Sequence, residues 1–192
     1  MVNIKVILGS TRSHRFGNQP ADWIMKLSEA YTDKATFELI DLKDMNLPFF
    51  DEPNPPMMGN ETQDYAKAWT DAIDSADGFI FVTPEYNHSY PATLKNAIDY
   101  LYSEWAHKPA GFVSYGASEG GARAVEHLRP LLSFLNVYDI SEHISLHNYY
   151  LNLDDKGAYK FDETHEQKVK PMLDKVVFWA EEMKASRAKL AA

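Results

Sequence analysis

The chain has 192 residues, 45% hydrophobic and 24% charged, which suits one globular domain over 1–192 and excludes a disordered chain. Asp and Glu number 28 against 19 Lys and Arg, a formal net charge of -9 that argues against nucleic acid and anionic membrane as partners. Cysteine is absent, so disulfides, thiolate metal sites and cysteine nucleophiles are excluded. The opening Met1-Val2-Asn3-Ile4-Lys5-Val6 reads as a strand and not as a signal peptide, and no apolar run approaches the roughly 20 residues of a membrane-spanning helix. A cytoplasmic protein is the expectation, and on it the triplets Asn60-Glu61-Thr62 and Asn87-His88-Ser89 match a glycosylation pattern by chance.

Short, continuous apolar runs at 4–8, 37–40, 79–82, 111–113 and 137–144 predict strands buried on both faces, as in a parallel sheet. Between them fall helical stripes. Ile24, Leu27 and Tyr31 give a weak first one; Tyr65, Ala68, Trp69, Ala72, Ile73 and Ala76 give a second. Leu94, Ala97, Ile98 and Leu101 form a third, Val125, Leu128, Leu132 and Leu135 a fourth, and Val169 to Met183 a long fifth. Trp69, Phe134 and Tyr31 are expected in the core. The 45–60 stretch, with five residues of Pro or Gly, predicts an irregular loop of functional length, and 148–160 a second. This alternation predicts an α/β fold: a doubly wound, flavodoxin-like sheet of five parallel strands, order 2-1-3-4-5, with helices on both faces. Ligands then bind outside the carboxyl ends of the strands, so the loops after strands one, three and four matter most.

The first of these loops, Gly9-Ser10-Thr11-Arg12-Ser13-His14-Arg15-Phe16-Gly17-Asn18, offers hydroxyls, two guanidiniums and a helix N-terminus near Pro20. Those groups suit a phosphate, although neither a Walker loop nor a dinucleotide fingerprint is present. The loop after strand three, Thr83-Pro84-Glu85-Tyr86-Asn87-His88-Ser89-Tyr90-Pro91, can offer amides and an aromatic face to a planar ring, with Pro91 at the first helical turn and Ser89 or Tyr90 as its cap.

Gly9-Ser10-Thr11-Arg12, Pro84-Glu85-Tyr86-Asn87, and Ser114-Tyr115-Gly116 with Gly120-Gly121 resemble the NADPH-dependent FMN reductase family, which includes flavodoxin-like quinone, chromate and azo reductases. The resemblance covers roughly residues 4 to 135. It implies that Ser10, Arg12, Arg15, Gly17 and Asn18 hold the FMN phosphate. It implies that Pro84, Glu85, Tyr86 and Asn87 line the isoalloxazine and that Ser114, Tyr115 and Gly116 close its other edge. Many members carry serine where this chain has Gly17, and Arg15 is placed to make up that contact. The implied activity is hydride transfer from NADPH or NADH, through FMN, to a quinone or similar small acceptor, with ping-pong kinetics. Flavin N5 then carries the chemistry, and no catalytic side chain or metal is required. Relatives form homodimers or homotetramers, and the 45–60 loop is placed to reach a neighbour.

Two rivals stand beside that reading. A flavodoxin-type electron carrier shares fold, cofactor and acidity, but Arg12 and Arg15 favour the enzyme. Gly116-Ala117-Ser118-Glu119-Gly120 has the form of a hydrolase nucleophile elbow, with Asp139, Asp162, His143, His147 and His165 downstream. It lacks an upstream oxyanion loop and leaves the arginine-bearing loop unexplained. The seven His show no paired metal spacing.

Overall fold

In the computed structural model, which describes residues 1–59 and 62–190, the buried runs form the centre of one sheet. Strand β1 (Val2–Leu8) is followed by α1 (Asn18–Ser28), β2 (Ala35–Asp41), a short α2 (Leu42–Met45) and α3 (Asp64–Asp74). Then come β3 (Gly78–Pro84), α4 (Ala92–Asp99), β4 (Pro109–Tyr115), α5 (Ala122–Phe134), β5 (Tyr138–Leu146) and the long α6 (Glu163–Leu190). All strand pairs are parallel and the order is β2-β1-β3-β4-β5, as the sequence pattern predicts. The chain reverses direction across the sheet between β1 and β3, which opens a crevice at their carboxyl ends.

Alternate side chains of the central strands feed two cores. Val6, Leu8, Ile80 and Val82 pack with Trp23 and Ile24 of α1 and Met172 and Val176 of α6. Ile7, Phe79, Phe81 and Phe112 pack with Trp69 of α3, Leu94 of α4 and Leu128 of α5. Strands β3 and β4 are buried throughout, whereas the edge strands β2 and β5 are only partly buried, so continuous burial holds only for the centre.

Several local expectations need correction. Phe134 is 69% exposed, because it lies off the face of α5 that buries Leu128, Leu132 and Leu135, and it meets the Tyr102 ring at 6.1 Å. Ala68 faces solvent and Ala66 takes its place in the core. Pro91 is the cap of α4 rather than its first helical residue, in extended geometry with no side-chain cap. The 45–60 stretch is not wholly irregular: Pro56–Met58 is a single tight turn of 3-10 helix, and Asp41 caps α2 just before it by accepting from the Lys43 amide at 2.8 Å. Its start is pinned to α4, since Asn96 accepts from the Phe50 amide at 2.9 Å and donates to the Pro48 carbonyl at 2.6 Å. Asn60, and with it the Asn60-Glu61-Thr62 triplet, lies outside the described residues.

At the amino ends of the strands, buried charge is fully matched. Asp77, just before β3, accepts from the Asn3 amide at 3.0 Å and pairs with Lys184 at 2.7 Å and Arg187 at 2.5 Å, tying down α6. Lys108, just before β4, donates to the Ile73 and Asp74 carbonyls at the end of α3, at 2.8 and 3.0 Å. Burial pushes its ammonium down to about 8.

Candidate active site

At the carboxyl ends, Arg12, Arg15, Phe16, Pro84, Glu85, Tyr86, Tyr115, Gly116, Ala117, Tyr149 and Tyr150 line a cleft of about 220 Å³. A larger hollow of about 350 Å³, lined by Leu27, Tyr31 and Leu173, lies towards the amino ends, away from the reversal point. The cleft is built by three loops that continue strand pairing beyond the sheet. Gly9 donates to the Val82 carbonyl at 2.9 Å, and Glu85 to the Tyr115 carbonyl at 3.1 Å.

The first loop divides its two arginines. Arg15 is locked: Asp41 takes its fork bidentately, the Ser10 carbonyl accepts from Nη1 at 2.8 Å, and Asn18 Oδ1 accepts from Nε at 2.7 Å. Arg12 has no hydrogen bond or ion pair among the described residues; its guanidinium stands 5.9 Å from the centroid of the Tyr86 ring, a cation–π distance. Ser10 is buried and hydrogen-bonded to the Tyr86 hydroxyl at 2.8 Å. Gly17 is fixed by close approach, because a Cβ there would stand 2.6 Å from the Tyr115 hydroxyl and 2.7 Å from Leu8 Cδ1. The Tyr115 phenol therefore occupies the space a side chain at 17 would need. It is buried with no hydrogen-bond partner, and that burial raises its pKa well above the ordinary value.

The second loop is a tight hairpin. Tyr86 and Ser89 exchange backbone hydrogen bonds at 2.8 and 3.1 Å, and Asn87 and His88 both have positive φ, 48° and 74°. This is type I′ geometry, which explains Asn at the first central position. Glu85 Oε1 pairs with Arg123 at 2.5 Å, while Oε2 is buried without a partner. Asn87 is exposed and stands outside the lining of the cleft.

The third loop, 116–121, turns through Gly120 and Gly121 at φ 58° and 84°. Ser114 does not face the cleft. Its hydroxyl donates to the Gly120 carbonyl at 2.6 Å and meets His143 Nε2 at 2.7 Å. Burial pushes the His143 imidazole down to about 4, helped by Arg129 and His147 nearby. The elbow motif assembles no triad at Ser118: His147 Nδ1 donates to its backbone carbonyl at 2.7 Å, Asp139 pairs with Arg129, and Asp162 pairs with His165. Among the described residues no cluster of three or more His, Asp or Glu is disposed to hold a metal ion.

The structure thus gathers Arg12, Arg15, Pro84, Glu85, Tyr86, Tyr115 and Gly116 around one cleft, with Ser10 bonded to its wall. Gly17, Asn18 and Ser114 support the loops from behind. Phe16, Tyr149 and Tyr150 were not anticipated from sequence. Phe16 stacks on Tyr149 at 4.2 Å and meets Tyr115 edge-on at 5.1 Å, so the loop after β5 supplies an aromatic wall. The signal available was the pair of tyrosines directly after the last strand.

Comparison with known proteins agrees with this geometry. The family model for NADPH-dependent FMN reductases matches residues 2–151. An NAD(P)H-dependent FMN reductase of Schizosaccharomyces pombe is 45% identical over 136 residues, 70% of this chain and 67% of that one. An NAD(P)H:quinone oxidoreductase of Solanum tuberosum is 31% identical over 146 residues, 74% and 73% of the two chains. Among solved structures, the flavoenzyme NAD(P)H:acceptor oxidoreductase FerB of Paracoccus denitrificans superposes with a TM-score of 0.71 at 24% identity, covering 95% of this chain and 99% of that one, a likeness of fold. The chain belongs to the NADPH-dependent FMN reductase family. It is an oxidoreductase that works with FMN and NAD(P)H.

The residues present suit FMN. An unpaired guanidinium and a buried hydroxyl without an acceptor are the complement of a phosphate, and the aromatic walls suit a flat ring.

Proposed function

We propose that the chain passes reducing equivalents from NAD(P)H to quinone-like small molecules, and that both substrates use this one cleft in turn. The observation that supports it most is that the unpaired Arg12 and Tyr115, with its orphaned hydroxyl, line one aromatic cleft where the sheet reverses. FMN held there supplies the two-electron chemistry. Arg12 and the Tyr115 hydroxyl take the phosphate, while Arg15, bound to Asp41, keeps the loop in shape for them. The backbone amides of Glu85, Tyr86 and Gly116 already donate within the protein, whereas that of Ala117, which lines the cleft, has no acceptor among the described residues and is a donor left for the ring edge. Tyr86 and Tyr149 exclude water from the ring-binding space. A cleft with one open face admits the nicotinamide or the acceptor but not both, so occupancy alternates.

The absorption spectrum of the purified protein tests the cofactor, and steady-state NADPH oxidation with a small quinone tests the reaction. Parallel double-reciprocal lines are expected; intersecting lines would mean two separate sites. Loss of nicotinamide activity, with single electrons passed only to proteins, would restore the carrier reading. A homodimer or homotetramer forms part of the proposal, with exposed Phe49, Met57 and Met58 as the apolar surface offered to a second copy. Light scattering of Phe49→Asp against the unchanged chain tests it.

A further inference from the structure

The elbow-like motif has a role the flavin chemistry does not itself require. Ser114 has a single hydroxyl proton, which goes to the Gly120 carbonyl, so it accepts from His143 Nε2–H. That fixes His143 as the neutral Nε2–H tautomer, a form its burial favours. His147 must carry its proton on Nδ1, because the partner there is the Ser118 carbonyl. Both histidines stand on β5 or directly after it, one residue past the strand end at Leu146. The Asn148 amide adds a third tie, to the Ala117 carbonyl at 2.9 Å. Three carbonyls of one short loop are thus held, those of Ala117 and Ser118 from just after β5 and that of Gly120 by Ser114 of β4, itself bonded to His143 of β5. The Ala117 and Ser118 amides are left without an acceptor, and Ala117 lines the cleft.

We propose that His143 and His147 are positioning residues: by holding the 116–121 loop through its carbonyls they aim its unpaired amides at the ligand in the cleft. The inference rests on the cofactor site described under the proposed function. Free amides on consecutive residues form an anion-favouring concavity only when the carbonyls between them are turned away. Gly120 and Gly121 permit the turn, and the two imidazoles select it. The ligand they address is the polar, electron-rich edge of a bound ring.

The test uses the full chain with His147→Ala, His147→Asn and His143→Gln. Hydrogen exchange is read at the Gly120, Ala122 and Asn148 amides without FMN, and FMN dissociation by fluorescence. His147→Ala is expected to speed exchange at those amides and weaken FMN about two- to twelvefold, the worth of one hydrogen bond, with the melting temperature little changed. His147→Asn, whose amide can donate to the same carbonyl, is expected to restore both, and His143→Gln to weaken FMN while leaving Arg12-dependent salt sensitivity intact. Unchanged exchange in both His147→Ala and His143→Gln overturns the clamp. Faster exchange with unchanged FMN affinity overturns the positioning role, as does an Asn variant no better than Ala. An unchanged chain that fails to bind FMN overturns the cofactor reading instead, and the exchange data still decide whether the loop is pinned.

Discussion

The two ends of the sheet treat buried polar groups in opposite ways. At the amino end Asp77 has three donors and Lys108 two carbonyls, so every buried charge there is answered within the chain. At the carboxyl end the buried Tyr115 hydroxyl and Glu85 Oε2 are left without a partner among the described residues, and the exposed Arg12 makes no hydrogen bond or ion pair there. An unmatched buried polar group costs roughly 1–3 kcal/mol, so the carboxyl end retains groups whose partners come from outside. One end holds the fold; the other is where we propose the ligand is held.

The contrast predicts that substitutions at the two ends separate stability from binding. Asp77→Ala strands Lys184 and Arg187 and frees α6, and urea unfolding should show a loss of about 2–4 kcal/mol with FMN affinity in the folded protein unchanged. A matching loss of affinity would break the division.

The next effect is set by pH. His143 has its folded pKa depressed to about 4 from 6.5, so the unfolded chain binds the extra proton between those values. Its contribution to stability is constant above 6.5, falls as the pH drops towards 4, and changes no further below that. The full loss is about 3 kcal/mol by the size of the shift. His143→Gln should flatten the stability–pH curve relative to the unchanged chain across that window, as read by urea midpoints at pH 4.5 and 7. Curves that stay parallel would show that His143 is not held neutral.

Arg12→Ala should do the reverse of Asp77→Ala. It removes a charge-assisted contact worth about 1.5–3 kcal/mol, a ten- to hundredfold weaker FMN affinity by fluorescence titration, with the urea midpoint unmoved. Affinity that survives would remove the phosphate assignment. The smallest effect belongs to Ser118→Ala, whose exposed side chain makes no bond in the structure: NADPH–quinone activity should stay within twofold, about 0.4 kcal/mol. Labelling of Ser118 by a fluorophosphonate probe would reopen the hydrolase reading.

The sheet was legible because β1, β3 and β4 are buried on both faces and therefore read as unbroken apolar runs. Strand order followed from the alternation of strand and helix. Helix faces were less secure: Ala66 and Ala68 are identical residues, and only tertiary packing decides which one turns inward. Phe134 lies off the stripe of Val125, Leu128, Leu132 and Leu135, and its apolar type alone does not show that it turns outward. At the site, loop positions were readable but orientations were not. Ser114 and Tyr115 are neighbours on β4, and the two-residue pleat sends one to the His143 side and the other into the cleft. The difference between Arg12 and Arg15 depends on Asp41, 26 residues further along the chain, which no local pattern announces.

Gly17 and Tyr115 share one small volume, and that ties their histories together. A serine at 17 meets the phenol at 2.6 Å, and even without the hydroxyl the ring's Cε1 stands 3.3 Å away. The order of substitution then matters. Both Tyr115 and Leu8 must give way before position 17 can gain a side chain, since Leu8 Cδ1 stands 2.7 Å from the same point. Either residue can present an oxygen to the same spot beside Ser10, so the two are alternative solutions to one requirement. A double-mutant cycle of Gly17→Ser with Tyr115→Phe should therefore be strongly non-additive, the pair more stable than the sum of the single changes.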